Sequence, residues 1–160
     1  MKKVIKNKKS LTVGGSASGY PLDKWPHFKD VPLAYLGRVV SGRTTYFIFL
    51  DGPANEMDSS WQVEDGSNAV IALVDGKLVS PAWITLSPVD KPVERLSAVY
   101  NVSIPAEPKW LQGDESQEGF AFAGQIDSDL DADLNVGDAH GVAYVFLRDS
   151  DHTARLLWQA

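Results

Sequence analysis

Cysteine is absent from the 160 residues. That absence excludes disulfide frameworks, thiolate nucleophiles, zinc–thiolate sites and iron–sulfur clusters. Long apolar runs are missing too. None approaches the ~18–20 residues that cross a bilayer, so no membrane-spanning helix is expected. Histidine is scarce: His27, His140 and His152 are the full set. None has a second histidine at helical or hairpin spacing, which argues against a transition-metal site. A Gly-Lys-Ser/Thr phosphate loop and a dinucleotide-binding glycine fingerprint are also lacking, and no cofactor is expected. What is present is an apolar content of 44%, enough for one core. The length fits one domain at ~150 residues per domain.

Basic residues crowd the start of the chain. Lys2, Lys3, Lys6, Lys8 and Lys9 are five of the fifteen. Beyond Lys9 there remain 10 basic and 21 acidic residues, a formal balance of −11. A body this acidic repels phosphate backbones, which disfavours nucleic-acid binding. The lysine-rich start could pass for the n-region of a signal peptide. Ser10 to Tyr20, however, is small and polar where an apolar h-region belongs. Residues 1–13 are therefore expected to form a flexible, solvated basic tail, not a membrane anchor. The expected compartment is the cytoplasm.

Thirteen glycines and nine prolines punctuate the remainder. Between them lie β-branched and aromatic runs at Pro32–Val40, Thr44–Leu50, Ala69–Val74, Ala82–Leu86, Val99–Ile104, Phe120–Ile126, Val142–Leu147 and Ala154–Trp158. Each has strand length and composition. Asp75-Gly76 reads as a hairpin turn. Helix signals are few: Asp90 as an N-cap before Pro92–Val99, and a short turn near Tyr20–Lys24. The expected fold is α+β and β-rich, a mostly antiparallel sheet with little helix.

An internal repeat organises these runs. Pro32–Val39 set against Gly119–Ile126 gives five identical or conservative positions of eight. Phe47–Leu50 matches Tyr144–Leu147. Phe49 precedes Trp61 by twelve residues, and Phe146 precedes Trp158 by the same distance. Upstream, Pro21–Trp25 faces Pro105–Trp110. Residues 14–160 are thus expected to be one domain built from two tandem similar units, about 20–62 and 105–159, joined by a strand-rich bridge. Strict alternation places Leu33, Tyr35 and Val39 on one face, and Phe120, Phe122 and Ile126 on its counterpart. A lone three-stranded unit is marginal. Two could bury these faces against each other, with the matched tryptophans as large core pieces. The strand glycines, Gly37 and Gly124, suggest a bulge or a close crossing.

The ordered motifs resemble a known family. They are Gly14-Gly15, Trp25-Pro26, Pro32-Leu33-Ala34-Tyr35-Leu36-Gly37, and Trp61 followed by Gly66-Ser67-Asn68-Ala69-Val70-Ile71. Next come Pro108-Lys109-Trp110-Leu111-Gln112, Phe122-Ala123-Gly124-Gln125-Ile126, and Gly141 with Tyr144-Val145-Phe146. In this order, over residues 14–159, they resemble the YwqG-like family of bacterial proteins of unknown function. The resemblance implies a duplicated, β-rich α+β fold, with no established reaction and no catalytic residues to carry over. Family genes often lie near secreted toxin systems, which implies an immunity or partner-binding role. Arg38 departs from the glutamine the family usually has there, as at Gln125.

The densest polar cluster is Asp127–Asp138, with five carboxylates in twelve residues. It lies in a connection ten residues longer than its counterpart: Gly37 to Phe47 spans ten, Gly124 to Tyr144 twenty. Asp127, Asp129, Asp131, Asp133, Asn135 and Asp138 imitate the spacing of a calcium loop. Ala132 stands where that loop needs glycine, and Asp138 where it needs glutamate. The weak calcium candidates are Asp127, Asp129, Asp131 and Asp138. Two other readings stand beside that one: a solvated acidic loop, and a docking surface for a basic partner. Partner-binding candidates are Asp127, Asp129, Asp131, Asp133 and Asp138, with Trp83 and Trp110 as possible aromatic anchors. Asp138/His140 and Asp151/His152 are sequence neighbours of the kind that acid–base pairs use, and acidic loops also produce them by chance. Gly15-Ser16-Ala17-Ser18-Gly19 approximates a nucleophile elbow but precedes the first strong strand.

Together these features indicate a non-enzymatic protein-binding domain, an immunity-type or adaptor protein whose partner is basic, a toxin being one candidate. The alternatives are a hydrolase-like enzyme or a small-ligand scaffold, each with a cleft between the repeats.

Overall fold

The computed structural model describes residues 8–50, 68–134 and 141–159. Strand makes up 51% of them and helix 5%. The strands are β1 (Lys9–Gly14), β2 (Trp25–Phe28), β3 (Val31–Pro32), β4 (Ala34–Ser41), β5 (Thr44–Leu50) and β6 (Asn68–Val74). They continue as β7 (Lys77–Val79), β8 (Thr85–Ser87), β9 (Val99–Val102), β10 (Ala121–Asp127), β11 (Val142–Arg148) and β12 (Thr153–Gln159). Two 3-10 turns, Leu22–Lys24 and Ser128–Leu130, are the helical elements among the described residues. No helix there is long and apolar enough to cross a membrane.

Pairing within the named sheets is antiparallel. One sheet has six strands in the order β7-β6-β5-β4-β1-β9; the others are β10-β11-β12 and β3-β2-β8. Asp75-Gly76 joins β6 to β7 as expected. Both residues have positive φ, 48° and 79°, the conformation of a type I′ hairpin turn.

The six-stranded sheet packs face to face on β10–β12. Leu11, Val13, Leu36, Val39, Ile48, Leu50 and Val70 meet Ala123, Ile126, Val145, Leu147 and Leu156 in one buried cluster. The opposite faces are aromatic. Tyr35, Phe47 and Phe49 on the first sheet are covered by Trp25, Tyr20 and Ile84. Tyr144, Phe146 and Phe122 on the second are covered by Trp110 and Phe120. The expectation that these faces meet each other is therefore corrected. Aliphatic faces form the interface, and each aromatic face carries its own tryptophan.

A bulge explains the misassigned faces. β4 pairs with β5 through Tyr35↔Phe49 and then Gly37↔Ile48, skipping a residue. β10 pairs with β11 through Phe122↔Phe146 and then Gly124↔Val145, the same break at the same place. An extra residue turns everything after it to the other face. Val39 and Ile126 consequently join the aliphatic core, while Tyr35 and Phe122 stay outside. Gly37 is the close crossing as well. A Cβ there would stand 2.4 Å from the Thr12 carbonyl oxygen of β1.

Three further expectations change. Residues 9–14 are not tail: β1 lies between β4 and β9, with Leu11 and Val13 buried. Residues 1–7 lie outside the described set. Pro92–Val99 is not helical. Its backbone serves the far side of the bulge, where Tyr35 N–H donates to the Val93 carbonyl (2.7 Å) and Arg95 N–H donates to the Tyr35 carbonyl (2.8 Å). Those backbone groups would otherwise stay unpaired beyond the end of β1. Finally, the strand beside β5 is β6, and Phe47 pairs with Ile71 as Tyr144 pairs with Leu157. Trp158 is half-buried opposite Ala143. Its sequence match, Trp61, lies outside the described residues. Phe49 and Phe146, matched in the repeat, are both buried.

Gly37→Ala is expected to destabilise the protein by about 1–3 kcal/mol, because the new methyl meets backbone that cannot rotate away. At ~2–4 °C per kcal/mol for a domain of this size, thermal unfolding should register it plainly. An unchanged Tm would contradict the crossing.

Candidate functional site

The acidic segment begins where β10 ends. Asp127 caps the following 3-10 turn: its Oδ1 accepts from the Asp129 N–H at 3.0 Å. Ser128 is buried, and both its N–H and its hydroxyl donate to the Gly141 carbonyl, at 3.1 and 2.6 Å. Leu130 packs against the aliphatic core and Leu134 is buried in it. Apolar residues spaced among the aspartates thus pin the first eight residues of the segment. It is not the wholly solvated excursion that its charge suggests. Asp138 and His140 lie outside the described residues.

The carboxylates have different occupations. Asp131 accepts from the Tyr100 hydroxyl at 2.5 Å and from the Asp133 N–H at 2.8 Å. The tyrosine hydrogen bond, more than the backbone one, holds its pKa below the usual carboxylate range, and the same bond pushes the Tyr100 phenol up. Asp129 and Asp133 are exposed. No hydrogen bond ties either carboxylate to another described residue. Asp127 and Asp129 also line a cleft of about 500 Å³ with Val102, Ile104, Pro105 and Lys109. The cleft lies where β9 and β10 end their respective sheets. Gln125 stands in it too, accepting from the Lys109 N–H at 2.9 Å.

Among the described residues no three histidines, aspartates or glutamates group so as to hold a metal ion. Asp127 and Asp131, two of the calcium candidates, are each committed to local turns. The tryptophan candidates separate. Trp110 is half-buried and stacks 6.0 Å from Phe146, with Tyr144 at 4.6 Å, so it serves packing. Trp83 is 37% exposed but lies in a different cleft, beside Phe120.

The remaining sequence candidates have structural partners. His27 Nδ1 is 2.8 Å from the Trp25 carbonyl, and His152 Nδ1 is 3.3 Å from the Thr44 hydroxyl. The glycine- and serine-rich stretch 14–19 is held in place. Arg38 donates to the Ser16 and Ser18 carbonyls at 2.8 and 2.9 Å, and Ala17 N–H donates to Glu94 Oε2 at 2.6 Å. The Arg38 guanidinium also lies 4.8 Å over the Phe47 ring. Sequence reasoning missed Tyr100 as the partner of Asp131, and it missed Arg148, Arg155 and Phe120 around the second cleft. Tyr100 carries no local signal, because its partner is 31 residues away. The arginines had one: basic residues are scarce in the acidic body.

No known protein family, curated protein or solved structure matches this chain.

Tyr100→Phe should let the Asp131 carboxyl titrate at higher pH. Asp114, lowered instead by Ser116, should not move. An NMR titration of both carboxyls checks this; a static Asp131 would show that its environment does not depend on Tyr100.

Proposed function

We propose that this chain is a non-enzymatic protein-binding domain, an immunity-type or adaptor protein of the cytoplasm. In this reading it captures a basic partner on the face that carries Asp127, Asp129 and Asp133. The observation that carries the reading is the uneven use of the carboxylates. Folding consumes the Asp131 carboxylate, whereas Asp129 and Asp133 are held on a pinned turn through their backbone N–H groups, with carboxylates that make no bond to the described residues. Like charges repel by about 1 kcal/mol per pair where they stand ~4 Å apart in water. A partner's lysines or arginines would relieve that repulsion, speed the encounter and select against acidic competitors. The body's balance of −11 beyond Lys9 acts in the same direction.

A toxin is one basic partner of this kind, in keeping with the YwqG-like resemblance. The two-unit origin belongs to the same proposal. It is supported by the matching bulges, the matching aromatic faces and the tryptophan over each. A catalytic cleft between the units finds no support, since that space is filled by the aliphatic cluster.

The test is capture from the native host at low and high salt, with wild-type protein and with Asp129→Asn/Asp133→Asn. Neither substitution removes a described hydrogen bond, so the fold should hold. The expected result is a basic protein retained at low salt, lost at high salt and depleted by the double substitution. Recovery that ignores both salt and substitution would overturn the reading.

A further inference from the structure

A second cleft, of about 270 Å³, lies on the opposite side of the sandwich from the acidic face. Its lining includes Val70, Val79, Trp83, Phe120, Arg148 and Arg155. Its residues come from β6, β7 and β12, from the segments before β8 and β10, from the end of β11 and from the turn that follows it. None of them lines the acidic cleft.

Sheet register brings the two arginines together. Arg148 pairs with Thr153, and Arg155 pairs with Phe146 two residues back. Arg148 and Arg155 are therefore diagonal neighbours on one face. Phe120 lies over both, with each guanidinium 4.6 Å from its ring centroid. Asp151 fixes Arg148 from one side, accepting from Nε at 3.0 Å and from Nη2 at 2.7 Å. This leaves the Nη1 edge of Arg148 for another acceptor. Arg155 is oriented by Gln117, whose Oε1 accepts from Nη1 at 2.9 Å. Two adjacent guanidiniums repel each other. Asp151 balances the charge of Arg148, so it is the two guanidinium planes gathered on Phe120, rather than uncompensated charge, that would receive an anion in this cleft.

The other lining groups narrow the class of anion. Val70, Val79, Pro81 and Ala154 present apolar surface, and the Trp83 indole remains 37% exposed. Such a lining suits a flat apolar body better than a sugar or a bare phosphate. The volume sits just below the ~300–1,000 Å³ of drug-sized pockets, which limits the body to one or two rings. We propose that this cleft binds a small aromatic carboxylate, its ring against Trp83 and Phe120 and its carboxylate on Arg148 and Arg155. A planar guanidinium edge matches a carboxylate in geometry as well as in charge.

The site stands independently of the acidic face, and so does its test. Benzoate and indole-3-acetate serve as probes, with benzamide as the neutral counterpart of benzoate. The readout is the Trp83 indole N–H in a nitrogen–proton correlation spectrum, assigned with Trp83→Phe. Both acids should shift it saturably. Benzamide should bind at least about tenfold more weakly, a difference of ~1.4 kcal/mol. Arg148→Gln should weaken the acids by a similar factor with the Tm nearly unchanged, because the pair it breaks is solvent-exposed. Should that variant unfold, Trp83→Ala removes the exposed wall without touching the ion pair; followed through the backbone amide of Ala154, which lines the same cleft, it should show the same loss. Absence of a saturable shift, equal binding of benzamide, or acid binding that survives both variants would overturn the proposal.

Discussion

The structure depends on one aliphatic layer between two sheets. Ile48 and Leu50 on one side and Val145 and Leu147 on the other are buried together. Neither sheet could keep this face in water. A sheet as small as β10–β12 needs its apolar face buried to be stable, and each buried side chain of this size contributes about 1.5–3 kcal/mol. Among the described residues these side chains fill the layer. Binding surfaces are left to the two open sides of the sandwich, where β9 and β10 end one side and β7 and β12 the other.

The bulges decide what those sides carry. By skipping one residue in β4 and in β10, they turn Arg38 and Gln125 outward, beside the aromatic faces. The two positions then do different work. Arg38 ties the stretch 14–19 to the sheet through the Ser16 and Ser18 carbonyls. Gln125 leaves its neighbourhood open as part of the acidic cleft. Position 38 is thus closed against residues 14–19, whereas position 125 stands in an accessible cleft.

Legibility from sequence followed the range of the interaction. Strands with β-branched and aromatic runs, such as Thr44–Leu50 and Val142–Leu147, were readable because side-chain pattern alone reports them. The Asp75-Gly76 turn was readable because its positive φ values demand such residues. β1 was not, because Lys9 and Ser10 look solvated and only pairing with β4 and β9 makes the segment a strand. Pro92–Val99 misled for the same reason, since a distant bulge recruits its backbone. In the acidic segment, composition showed the charge but not the division of labour. The remote Tyr100, together with the Asp133 N–H, distinguishes the occupied Asp131 from the exposed Asp129 and Asp133. The second cleft was invisible because sheet register, not sequence proximity, brings Arg148 and Arg155 together.

If the shared layer is the foundation, the two sheets must unfold together. Native-state hydrogen exchange along a denaturant series measures this directly, through the amides of Ile48 in β5 and Val145 in β11. Both should exchange through one global opening, with the same free energy and the same denaturant dependence. If Val145 and its β10–β12 neighbours instead exchange through a lower-energy opening while Ile48 stays protected, the sheets are separable and the account is wrong.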